Sequence, residues 1–190
     1  MAKLVASANI GTLQQNTTSL SEQARRFLLP NVSYDQEILD SSIASYGDNP
    51  SLAIALSGSS DKKSKEYKAS LRVVQQWRKG KSTPSKVYQR KLIQSLDKKG
   101  GIPEGSYRKA AGTITGTVTV SITGYVQISN TPAEYRTLHA GMSGSILADF
   151  LDMAATGDSD EALAMFAEAG KYPVFDLYSS PTDPITVKFS

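Results

Sequence analysis

Apolar residues in the first half of the chain recur at spacings of three and four, the period of helices that bury one face. SEQARRFLL is the first such stretch. Ser19 and Glu22 stand at capping-box spacing before it, and Pro30 ends it. A second helix is predicted from Tyr34 to Tyr46, with Leu39, Ile43 and Tyr46 on one side and Gly47 at its end. A third, compact and apolar, has Asn49 as N-cap, Pro50 at its first position, LAIAL as its body and Gly58 after it. GSSDKKSK is then a polar loop, or in part a frayed helix start. The fourth helix lies in the stretch EYKASLRVVQQWRKGKSTPS. Tyr67, Leu71 and Val74 form its seam, and Trp77 and Arg78 close the next turn. Its other face is Lys68, Ser70, Arg72, Gln75, Gln76 and Lys79; Gly80 is its C-cap, and Pro84 prevents continuation. A last helix runs from Lys86 to Leu96, docking through Val87, Leu92 and Leu96 with Arg90 and Lys91 outward.

The pattern changes after a Gly-rich charged stretch at 98–112, which reads as a linker. TITGTVTVSITGYVQIS alternates β-branched with small polar residues and predicts one bent strand or a hairpin. NTPAEYRTLHAG reads as a capped helix start, with Thr131 as N-cap and Pro132 at the first helical position. SGSILADFLDMAATG and DSDEALAMFAEAG are amphipathic helices, the second opened by Asp158 and Glu161 and stopped by Gly170. Two strands flanking a proline turn close the chain. The expected fold is α+β: a flexible arm at 1–18, an all-α helix-turn-helix domain at 19–97, the linker, and a small β-α-α-β-β domain at 113–190.

Charge sharpens this division. Residues 61–99, about a fifth of the chain, hold thirteen Lys/Arg and three Asp/Glu, while the remainder holds eight and fifteen. From Ala110 onward three basic residues face nine acidic ones, a balance of −6. A basic module beside an acidic one is the footprint of polyanion binding. Arg, Gln and Lys on one helix face are also the side chains that pair with guanine, adenine and phosphate.

The residues VVQQWRKGKSTPS resemble the end of the recognition helix in the phage-repressor-like (Xre-type) family. That family often shows a Trp, a Gly, a basic residue and then Pro-Ser opening the next helix; here these are Trp77, Gly80, Lys81, Pro84 and Ser85. The resemblance covers Tyr34 to Leu96 and implies a helix-turn-helix reading duplex DNA in its major groove. On that basis Arg72, Gln75 and Gln76 are expected base contacts. Lys68, Arg78, Lys79, Lys81, Lys86 and Arg90 are expected phosphate contacts, and Trp77 is expected in the core. One spacing departs from the family: Gly58 to Val74 spans sixteen positions, so either the turn carries an insertion or the helix is extended at its start. The tail DEALAMFAEAG…VFDLY…ITVKF is also similar to the C-terminal half of terminal and telomere-binding proteins of linear actinobacterial replicons. In that family a hydroxyl residue primes DNA synthesis, and no position here maps onto it.

Other chemistries find little purchase. GTITGTVTVSITG places its glycines in a strand pattern, not in a phosphate loop that opens a helix. Arg136 and His139, at one-turn spacing, with a Tyr nucleophile, would be the candidates for DNA processing; the second Arg that such enzymes need is not identified. Asp149 and Asp152 are read as a helix's wet face, and Asp158, Asp160 and Glu161 as a cap. No catalytic residue, cofactor or metal is therefore assigned. The chain has no Cys and a single His, no long apolar run, and an N-terminus too broken for a signal peptide. Duplex DNA is the expected partner, in the cytoplasm at the nucleoid, with no membrane association. One helix-turn-helix buries little surface, so the acidic half is expected to make a homodimer. The expected roles are transcription control or replicon maintenance, with DNA-end binding or nonspecific packaging as alternatives.

Overall fold

The computed structural model describes residues 20–128, 132–172, 175–178 and 185–190. The expected arm at 1–18, the Ser19 cap and the Thr131 cap lie outside the described residues. The fold is mixed α+β, with eight α-helices and a four-stranded antiparallel sheet among the described residues. It divides into two compact units, one of Ser33–Pro103 and one joining the described residues up to Val32 to Glu104–Ser190. This boundary differs from the expected one in two ways. The first helix, α1 (residues 20–28), belongs with the C-terminal residues. Part of the expected linker is α6 (Glu104–Ala111), which buries Tyr107, Ala110 and Ala111.

The helical unit holds α2 (Gln36–Tyr46), α3 (Asn49–Ser57), α4 (Lys65–Arg78) and α5 (Lys86–Asp97). Its core is Ile38, Leu52, Leu56, Val74, Trp77, Leu92 and Leu96, all almost inaccessible to water. Burying each of these large side chains contributes about 1.5–3 kcal/mol, more than the few tenths by which helix propensities differ. Local chemistry sets the ends. Asp35 Oδ1 accepts from Ile38 N at 3.1 Å and Asp48 Oδ1 from Ser51 N at 2.6 Å. Asp48, rather than the expected Asn49, is thus the N-cap of α3, because its carboxylate reaches the amide three positions on. The backbone bond to Ser51 is the main reason its carboxyl sits below the usual range, helped by Arg78 and Lys62. Helix α4 ends in a Schellman turn: Lys81 N donates to Gln76 O and Gly80 N to Trp77 O, both at 2.9 Å. Gly80 takes the left-handed conformation (φ 63°) that this turn requires.

In the other unit β1 (Thr117–Gln127) is the central strand. It pairs along its length with β2 (Glu134–Ser143), and on its other side with β3 (Asp176–Tyr178) and β4 (Thr186–Phe189). Strand β2 overturns the helix start expected at NTPAEYRTLHAG. Leu138, Ala140 and Met142 are buried in strict alternation, and pairing with β1 satisfies a period-2 segment better than a Pro-led cap does. The order is therefore strand, strand, helix, helix, strand, strand, through α7 (Gly144–Thr156) and α8 (Ser159–Ala169). One sheet face, with Val118, Val120, Ile122 and Val126 of β1, packs against Leu147, Phe150 and Leu151 of α7 and Phe166 of α8 to form the core. The second helix does not use the expected acidic cap, since the Asp158 side chain makes no capping bond. Asp152, expected on the wet face, is nearly buried and accepts from Arg108 Nε at 2.8 Å.

The opposite sheet face is polar. Across β1 and β2 it carries Ser121 opposite His139, Thr123 opposite Thr137 and Tyr125 opposite Tyr135. Ser121 Oγ lies 2.8 Å from His139 Nδ1, and the two Thr hydroxyls 2.7 Å apart. The two tyrosine rings meet edge to face at 5.4 Å. His139 turns its backbone outward, to Tyr172, so these are the closely spaced pairs of an antiparallel ladder. Helix α1 packs within this unit: Ser21 Oγ and Arg25 Nε both donate to Ala155 O, at 3.3 and 2.7 Å.

Candidate nucleic-acid interface

Helix α4 presents its basic face through the way its other side is buried. Ser64 Oγ caps it by accepting from Tyr67 N at 3.1 Å. Tyr67, Ser70, Val74 and Trp77 then turn inward, at spacings of three and four. Trp77 meets Tyr88 of α5 edge to face at 5.3 Å, which makes it a wedge between two helices. Ser70, expected on the outward face, is buried with its Oγ 3.5 Å from Tyr88 Oη.

With that side fixed, Lys65, Lys68, Arg72, Gln75 and Lys79 form one exposed stripe at spacings of three, four, three and four. At 3.6 residues per turn these five and the half-buried Gln76 fall within about 100° of the helix circumference. Expected base contacts and three of the cations thus share one surface of one rigid element. Lys65 was missed as a member because the helix start was open in the sequence; its spacing from Lys68 and Arg72 is the signal that finds it.

The start itself is set by the turn before it. Ser59 N donates to Ser57 Oγ at 3.2 Å, Lys63 N to Asp61 Oδ1 at 2.8 Å and Ser64 N to Asp61 O at 3.0 Å. These bonds hold 58–64 as a turn and let the helix begin at Lys65. The long interval from Gly58 to Val74 is therefore shared between a longer turn and a longer helix.

The remaining expected contacts fall into two sets. Lys81 follows the Schellman turn, and Lys86 and Arg90 lie one turn apart at the start of α5; all three are exposed. Nothing acidic stands in the first turn of α5, and the Ser85 side chain makes no capping bond, so that helix end is electropositive. Val87, expected to dock, is 65% exposed between Lys86 and Arg90. Arg78 stands apart from the stripe. It lies on the side of α4 that carries Tyr67 and Leu71, and its Nη2 donates to Gly47 O at 2.7 Å.

Two more cations do the same work as Arg78. Lys91 Nζ donates to Leu56 O at 2.9 Å, and Lys99 Nζ to Ser45 O at 3.0 Å while lying 4.1 Å from the centroid of the Tyr46 ring. Each neutralises the carbonyl end of a helix. Of the thirteen basic residues in 61–99, ten remain, all exposed, and none takes part in an ion pair among the described residues.

The R-x-x-H pair does not form a site. Arg136 lies on the same side of β2 as Leu138 and bonds Glu134 at 3.0 Å, while His139 points to the other side and holds Ser121. Spacing of one helical turn becomes opposite faces in a strand. Among the described residues, no helix is long and apolar enough to cross a membrane. No family model, curated protein or solved structure matches the chain.

Proposed function

We propose that this protein binds double-stranded DNA in a sequence-dependent way, with α3 as the supporting helix of a helix-turn-helix and α4 as the helix laid in the major groove. The observation that carries this reading is the stripe Lys65, Lys68, Arg72, Gln75 and Lys79, exposed along one side of α4 and undisturbed by acidic partners. Arg72 and Gln75 are the base readers, with Gln76 at the margin. Lys68, Lys79, Lys81, Lys86 and Arg90 hold phosphates. Arg78 leaves this set for a capping role. The resemblance of Trp77, Gly80, Lys81, Pro84 and Ser85 to the Xre-type pattern supports the same docking.

A single such unit covers one half-site, so the protein acts as a homodimer on a two-fold site, through the unit that holds the sheet. Among the described residues of that unit, Tyr135 on the polar sheet face and Ile146 on α7 are exposed large apolar side chains, at 48% and 53%, that such a contact can use. The role is transcription control or replicon maintenance at the nucleoid. Selection of bound duplexes from a random pool tests the reading. An enriched two-fold motif is the expected result. Enrichment of nothing, with tight salt-dependent binding to every duplex, would instead mean nonspecific packaging.

A further inference from the structure

Strand β2 is an edge of the sheet, and its outer side divides in two. The register with β1 turns the backbone N–H and C=O of Tyr135, Thr137 and His139 away from β1. Tyr172 occupies those of His139. Those of Tyr135 and Thr137 take no hydrogen bond among the described residues, and both residues are exposed. A free edge of this kind accepts another strand unless something blocks it. Along it the side chains alternate. Tyr135 and Thr137 lie on the polar face, and Glu134 and Arg136 on the other, bonded to each other at 3.0 Å. Opposite charges two positions apart on one face make this edge complementary to itself.

We propose that two copies of the chain pair antiparallel through this stretch, with the two-fold axis at Tyr135. Tyr135 exchanges N–H···O bonds with the partner's Tyr135, and Thr137 with the partner's Ala133. Between these, at the close non-hydrogen-bonded positions, Arg136 faces the partner's Glu134 and Glu134 faces the partner's Arg136. Pro132, which has no N–H, falls at a position that donates nothing across the contact. Neighbouring registers fail. An axis at Glu134 or at Arg136 sets like charges opposite each other, and an axis at Thr137 calls on the His139 groups that Tyr172 holds. On the polar face the edge-to-face pair of Tyr125 and Tyr135 meets its own copy, so an aromatic row crosses the contact. The proposal rests on the DNA reading only in taking the chain to act as a dimer, and it supplies the contact.

Sedimentation equilibrium of the full chain over a range of concentrations, without DNA, tests this. The parent should dimerise, and the Tyr135 and Thr137 amides should exchange more slowly as dimer forms. Thr137→Pro removes an outward N–H that the monomer does not use; it should weaken the dimer by about tenfold or more with circular dichroism unchanged. Glu134→Arg should weaken it as well, and adding Arg136→Glu to Glu134→Arg should restore it, because the exchanged charges again face their opposites. A parent that stays monomeric overturns the proposal, and so does a dimer undiminished in Thr137→Pro and Glu134→Arg. The second outcome, with a two-fold duplex motif still enriched, leaves the DNA reading standing on a contact elsewhere. The expected dimer with no duplex motif enriched upholds the contact and removes the DNA reading.

Discussion

Arg78 Nη2 donates 2.7 Å to the carbonyl of Gly47, the residue that closes α2. A guanidinium bonded to a helix C-terminus is stabilising there, and at an exposed site the effect is modest. Arg78→Ala should therefore lower stability by about 0.5–1 kcal/mol and leave the salt dependence of DNA binding unchanged. Lys68→Ala should do the reverse, leaving Tm unmoved and reducing the salt slope by about one. Thermal melts and duplex titrations at several salt concentrations separate the two. A reduced slope for Arg78→Ala would return it to the phosphate contacts.

Arg72 and Gln75 stand next to each other on the exposed stripe, with Lys79 one turn further on. Arg72→Ala should cost about 1–3 kcal/mol on the selected duplex and almost nothing on a random one, because a bidentate base contact is lost only where the base is right. Lys79→Ala should weaken both equally. Equal losses for both variants on both duplexes would remove sequence reading from this helix.

Trp77 is 5% exposed and edge-on to Tyr88, so its removal is a core lesion. Trp77→Ala should cost about 3–5 kcal/mol and melt the helical unit, whereas Trp77→Phe keeps an aromatic contact and costs less. Near-ultraviolet circular dichroism and denaturant melts read this. A stable, folded Trp77→Ala protein would show that the helical core does not depend on this side chain.

What the sequence disclosed, and what it hid, follow the range of the interactions. Helices α2 to α5 were legible because their signals are local: apolar spacing, a Gly at φ 63° after α4, and Pro84 before α5. Lys68, Arg72, Gln75 and Lys79 of the stripe on α4 were legible for the same reason, whereas Lys65 was not, because the turn at 58–64 sets where the helix begins. Strand β2 was not, because Thr131 and Pro132 mimic a helix cap while the alternation that decides the matter is rewarded only by pairing with β1. The placing of α1 was hidden as well. Arg25 bonds Ala155, 130 positions away, and nothing near Arg25 announces it. Ser70 and Val87 were exchanged in the reading, since a small hydroxyl fits beside Tyr88 and an apolar residue at a helix's first turn need not face the core.

Asp48 supplies a pH dependence whose sign is fixed. Its carboxylate accepts from Ser51 at the start of α3, and this holds its pKa below the usual aspartate value. A lowered folded-state pKa means the ionised form is favoured by folding. The contribution is fully present above the unfolded value and is lost as pH falls through the lowered one. Asp48→Asn, which keeps a capping oxygen, should flatten the acid limb of the stability curve and change neutral stability little. An unchanged acid limb would show that other carboxylates govern it.

Tyr172 closes part of the outer edge of β2. Its hydroxyl accepts from His139 N at 3.1 Å and donates to His139 O at 2.9 Å, occupying the two groups that an added strand would use. The ring also stacks on Phe166 at 5.9 Å, which keeps it in place. Gly170 is the residue that permits this position: a Cβ there would lie 2.2 Å from the Tyr172 ring. Gly170→Ala should therefore displace the ring, whereas Tyr172→Phe leaves it stacked and removes only the two hydrogen bonds. Each bond contributes about 0.5–1.5 kcal/mol, so both variants should be less stable and should expose the His139 amide to faster hydrogen exchange. Gly170→Ala should be the worse of the two, since it also disturbs the packing of Phe166. Exchange at His139 that is as slow in Tyr172→Phe as in the parent would show that the hydroxyl does not guard this edge.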